Sequence, residues 1–204
     1  MGVELPANAA GWLLLASLPL LLAACTAFTK IAVVLGALRI GLGAERLLPA
    51  GSMLALALVI TALVMAPVAE DCLAELVGLG GYSALAAAPL ELGPRVLDPL
   101  WEFLAVHAEP EEIDMFAELA GRGGDDPLVL APAFLLGELG RGLALAVMIL
   151  LPFVVVDLIC AQVLVLLGLG NTPTAVLALP GKILLFLAAD GWSTVVVGLI
   201  EGYR

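Results

Sequence analysis

A chain of 204 residues that is 63% hydrophobic and only 13% charged lies outside the composition of soluble domains, and reads as a membrane or membrane-assembly protein. Its formal charge of −11 sits in one internal block, whose electrostatics oppose binding to nucleic acid or to anionic lipid. Three cysteines, Cys25, Cys72 and Cys160, show no CxxC spacing, so neither a disulfide framework nor a metal site is indicated and they read as small apolar fillers.

In chain order, hydrophobic segments run near residues 12–38, 50–69, 143–169 and 175–200, with a polar block near 70–141 between the second and third. Leu5 to Thr29, Leu47 to Ala69 and Leu158 to Gly181 carry no charge, and a bilayer span needs about 20 such residues. The expectation is an all-α protein: an N-terminal helical hairpin over 1–69, an acidic insertion over 70–141 and a C-terminal hairpin over 142–204. A cleaved signal peptide is the rival reading of the first segment, but a signal wants a positive start and the only charge before Lys30 is Glu4.

The basic residues set the expected orientation. Lys30, Arg39 and Arg46 flank the connection between segments one and two, and Lys182 lies at that between three and four. Both short turns then face the cytoplasm, and the insertion faces the periplasm of a bacterium. From Glu70 to Arg141 there are 14 acids against Arg95, Arg122 and Arg141, which accounts for the whole net charge.

Inside the insertion, Asp98 and Pro99 open a predicted helix with Leu100, Phe103, Leu104 and His107 on one face. Pro110 and its acidic first turn open a second, with Ile113, Met115 and Phe116 within and Gly121 near its end. Asp126 and Pro127 start a third that runs on into the next hydrophobic segment, with Pro132 as a place where it could break. Their apolar stripes need cover, from the chain's own hairpins or from a second copy.

Catalytic grammar is missing. There is one histidine, His107, and no HExxH, GxSxG or GxxxxGK[ST] pattern. Asp157 and Asp190 could in principle form an intramembrane aspartyl pair, but Lys182 nearby holds carboxylates ionised where a dyad must share a proton.

What remains is a set of costly charges in apolar segments: Lys30, Asp157, Lys182 and Asp190, each worth roughly 2.5 to 3.5 kcal/mol against insertion. On a straight helix Lys182 and Asp190 stand about 12 Å apart along the axis, so each needs a partner elsewhere or water. Asp157 with Lys182, across the second hairpin, is the pairing expected, either to fix register or to serve a pore or an assembly. Prolines in all four segments, Pro19, Pro67, Pro152 and Pro180, are expected to bend them. The stretch "LGLGNTPTAV" puts irregular backbone at or near membrane depth, tolerated where it lines a cavity or is buried in protein; a short cytoplasmic turn is the alternative.

"TAFTKIAVVLGALRIGLG", "LVMAPV", "APAFLLGELGRG", "LLPFVVVDLICAQVLVLLGLG" and "LALPGKILLFLAADGWSTVVVGLI" resemble, in order, the export-gate proteins of type III secretion systems, the SctR/FliP family. The resemblance covers nearly the whole chain outside the acidic block. It implies a non-enzymatic subunit without cofactors, a pentamer assembled with SctS/FliQ-like and SctT/FliR-like gate subunits, and a conduit for unfolded proteins leaving across the inner membrane. Short length and the lack of an evident signal lean toward the virulence-type branch. Where the family is usually rich in methionine at the pore constriction, this chain has Leu169, Gly170, Asn171 and Thr172; Gly181 replaces a usual aromatic. The competing function is a stand-alone transporter or channel relaying ions through Lys182 and Asp190.

Overall fold

A computed structural model describes residues 20, 21 and 23–203. Pro19 and the start of the first hydrophobic segment lie outside the described residues. Among the described residues every regular element is a helix: α1 (Phe28–Leu42), α2 (Ala50–Gly78), α3 (Gly81–Ala87), α4 (Pro89–Val96), α5 (Asp98–His107), α6 (Pro110–Ala120), α7 (Pro127–Leu166), α8 (Ala175–Ala188) and α9 (Gly191–Glu201). The protein is thus all-α. Two of these helices, α2 and α7, are long and apolar enough to cross a membrane, and α8 with α9 forms a further candidate span bent by 61°.

The chain divides into two compact units. One comprises the described residues of Met1–Phe28 with Pro67–Gly137, the other those of Thr29–Ala66 with Glu138–Arg204.

The first unit is built on the insertion's amphipathic helices. Cys25, Leu104, Ala108, Leu130, Ala133 and Phe134 form its core, with Leu100, Phe103, Ile113 and Phe116 packed around them. The stripes of α5 and α6 therefore find cover within their own chain. Met115, expected with them, stays exposed. Helix α5 starts at Asp98 itself, with no side-chain cap, and His107 at its end turns Nδ1 to the Phe103 carbonyl at 2.8 Å.

Helix α6 ends at Gly121, whose φ of 62° lets the Arg122 amide reach the Ala117 carbonyl at 3.1 Å. Asp126 then opens α7: its Oδ1 accepts the Leu128 amide at 2.9 Å, while Arg122 donates to its Oδ2 at 2.8 Å. The guanidinium first, and the accepted amide second, hold the Asp126 carboxyl below its ordinary range.

Helix α7 continues for 40 residues without the break allowed for at Pro132. A proline deletes one backbone donor, and here the ladder resumes on either side of it. At 1.5 Å per residue α7 is about 60 Å long, roughly twice the hydrocarbon thickness of a bilayer.

The second unit packs α1, α8 and α9 along α7. A Cβ on Gly142 would lie 3.3 Å from Lys30 Cα, and one on Gly41 would lie 2.6 Å from Leu150 Cδ2 and 2.9 Å from Phe153. These contacts follow the same order along both helices, so α1 runs parallel to α7, and small residues permit the approach. Glu138 with Tyr203, Phe153 with Phe186, and Asp157 with Lys182 follow opposite orders, so α8 and α9 return antiparallel. Between α1 and α2, Gly43 in the left-handed region closes α1. Arg39 spans that loop, donating to the Leu48 carbonyl and, at 3.0 Å, to the Glu45 carbonyl.

Candidate functional site

Three groups of polar residues interrupt the apolar second unit. The deepest centres on Glu138, fully buried on α7. Its Oε1 accepts Arg141 Nη2 at 2.8 Å, one turn on, and faces Lys30 Nζ of α1 at 3.8 Å. Its Oε2 accepts the Tyr203 hydroxyl in a short hydrogen bond. Lys30, only 3% exposed, also stands 3.4 Å above the centre of the Tyr203 ring. One carboxylate thus gathers two cations and a phenol from the start of α1, from α7 and from beyond α9. Burial first, and the Glu138 charge second, push the Tyr203 phenol well above its ordinary pKa, so it remains a donor.

The second group is the pair Asp157 and Lys182. Lys182 Nζ lies 2.7 Å from Asp157 Oδ2, joining α8 to α7. The lysine side chain is 9% exposed and the aspartate 45%, so the pair has one dry end and one open end. Gly181 sits beside it, with Val156 Cγ1 3.6 Å from where a Cβ would be, a spacing that an alanine would fit.

The third is Asp190. Lys182 and Asp190 do not share a helix: α8 stops at Ala188 and α9 starts at Gly191, and Asp190 is the residue between which holds a left-handed conformation. It is exposed, and its carboxylate makes no cap to α9. Pro152 and Pro180, expected as bends, lie within α7 and α8, each of which runs on past its proline, and a 61° turn separates α8 from α9 at Ala189 and Asp190.

Leu169, Gly170, Asn171 and Thr172 form the turn between α7 and α8. Gly168, at φ 72°, ends α7 by letting the Leu169 amide reach the Leu164 carbonyl at 2.8 Å, and the Thr172 amide closes on Leu169 at 2.9 Å. All four are exposed, with Val165, Leu166, Leu167 and Val176 exposed on either side. The turn is an exposed tip, flanked by apolar side chains and held by these two backbone bonds.

Sequence reasoning missed Glu138 and Tyr203. By position Glu138 falls among the insertion's acids, although the apolar residues on both sides of it are the signal of a buried charge. Among the described residues no cluster of His, Cys, Asp and Glu is arranged to hold a metal ion.

A family model described as "FliP family" matches residues 12–199. The chain belongs to the FliP family. It is 35% identical to the Hypersensitivity response secretion protein HrcR of Ralstonia nicotianae, over 93% of both chains. It is 33% identical to the Yop proteins translocation protein R of Yersinia pestis, over 93% of this chain and 92% of that one. The Flagellar biosynthetic protein FliP of Caulobacter vibrioides is 32% identical over 88% of this chain and 69% of its own. The match therefore spans Lys30, Glu138, Asp157, Lys182 and Asp190.

Proposed function

We propose that this chain is a core subunit of a type III protein secretion export gate, forming with partner subunits the conduit through which unfolded proteins cross the bacterial inner membrane. The carrying observation is the family match along nearly the whole chain, joined to relatives named for secretion and translocation. The subunit works as a pentamer with SctS/FliQ-like and SctT/FliR-like proteins, its acidic insertion on the periplasmic side. It performs no covalent chemistry; its residues shape and hold a passage.

Two features support that reading. The exposed apolar surface of α7 and its 60 Å length exceed what one bilayer covers, so neighbouring subunits would complete its burial. The exposed tip at Leu169 to Thr172, entered through the left-handed Gly168 and flanked by exposed apolar side chains, supports its reading as a constriction, with Leu169 as its largest side chain. The pair Asp157–Lys182 ties that tip's two arms together and holds the shape that the assembly needs.

The test is complementation in a strain lacking this gene, with the tagged protein purified in mild detergent. The wild type restores secretion and copurifies with the two partner gate proteins. Asp157→Ala and Lys182→Ala lose assembly or secretion. Secretion intact in the deletion strain, with the purified protein monomeric, overturns the proposal.

A further inference from the structure

We infer that Asp190 is a positioning residue which acts through its backbone and not through its charge: it is the corner that turns the last apolar segment and lays α9 along α7. Asp190 has φ 48° and ψ 46°, and is the one non-glycine among the described residues with positive φ. For most side chains this left-handed conformation is disfavoured, whereas aspartate and asparagine adopt it several-fold more readily and glycine without penalty. Its carboxylate, by contrast, forms neither a helix cap nor an ion pair among the described residues. What the corner uses is the Asp190 carbonyl, which accepts the Thr194 amide at 3.1 Å and the Thr194 hydroxyl at 3.2 Å and so starts α9.

The two residues that follow complete the corner. A Cβ on Gly191 would fall 2.2 Å from two atoms of the Phe186 ring, and that ring is itself buried at 7% exposure. Trp192 meets that ring edge-on with centroids 5.2 Å apart and the Phe153 ring of α7 lies 6.4 Å away, so a methyl here would have to displace a packed aromatic group. Aspartate supplies the backbone sign, glycine the close approach and tryptophan the ring that backs Phe186. The resulting 61° turn directs α9 back along α7, where its far end brings Tyr203 onto Glu138. This holds whatever the chain transports.

Four substitutions at one position separate backbone from charge. Asp190→Asn and Asp190→Gly keep the left-handed preference and remove the charge; Asp190→Glu keeps the charge and loses the preference; Asp190→Ala loses both. The full chain is purified in mild detergent with its copurifying partners, and its thermal unfolding midpoint is measured. Asn and Gly hold within about 2 °C of wild type, while Glu and Ala fall by roughly 2 to 8 °C. Complementation of secretion follows the same order, with Asn rescuing what Ala loses. If Glu keeps the wild-type midpoint and Asn and Gly fall, the charge is the functional part and the inference is overturned. Equal behaviour of all four overturns it as well. The thermal measurement does not depend on what the chain exports, so failure of this inference is distinguishable from failure of the secretion reading.

Discussion

Removing the carboxylate of Glu138 tests whether the buried hub holds the second unit together. Glu138→Gln keeps the volume and leaves Lys30, 3% exposed, facing an uncharged amide across 3.8 Å. At that separation and an effective dielectric of 20, the lost attraction is about 4 kcal/mol. An unpaired buried cation of this kind costs about 3 to 5 kcal/mol of stability, which for a chain this size lowers the unfolding midpoint by roughly 6 to 20 °C. Lys30→Met is expected to cost less, about 1 to 2 kcal/mol. It gives up the contact with the Tyr203 ring and the longer pair, but Glu138 keeps Arg141 and Tyr203. The double variant, with neither buried charge, recovers a large part of the Glu138→Gln loss. Thermal unfolding of the four proteins in one detergent provides the cycle. A Glu138→Gln cost below about 1 kcal/mol, or single losses that simply add in the double variant, would refute the reasoning.

Gly41→Ala and Gly36→Ala, in the same helix, are expected to have opposite signs. The first drives a methyl into Leu150 and Phe153 and costs about 1 to 3 kcal/mol, while the second meets open space and stabilises by about 0.5 to 1 kcal/mol; both are read from unfolding midpoints. In the first unit, Phe134→Ala empties a fully buried ring site and costs about 3 to 5 kcal/mol, read as lost protection from hydrogen exchange across α5 and α6. Because the folded Asp126 carboxyl lies below its unfolded value, its cap is present above about pH 4 and is lost as pH falls through the lower, folded value. The Leu128 amide should exchange faster relative to α7's centre over that acidic window, and Asp126→Asn should flatten the effect; a pH-independent ratio in the wild type would contradict it.

The insertion's helices were legible because their signals are local. Pro99, Pro110 and Pro127 each stand in a first turn and Gly121 just past an end, and such marks act within a few residues. The Asp157–Lys182 contact was legible for a different reason: two opposite charges in apolar helices have few other partners within reach. Glu138 and Tyr203 are 65 residues apart, and no local pattern connects them. The corner at Asp190 carried a signal, since Asp-Gly is a turn-forming dipeptide. Continuous hydrophobicity on both sides masks it, and the nearby Pro180 lies at a position where the helix carries on. Hydrophobicity reports burial, and a helix can turn sharply without becoming less apolar.

The span of 65 residues between Glu138 and Tyr203 also has a meaning in time. At about 5 to 20 residues per second, synthesis delivers the phenol roughly 3 to 13 seconds after the carboxylate. Throughout that interval Lys30 has already been made, and Arg141 follows Glu138 within one turn. Both cations that surround the acid are therefore in the chain before the phenol is made. The phenol is the last member of the site to be synthesised, so the hub closes only once almost the whole chain has been made.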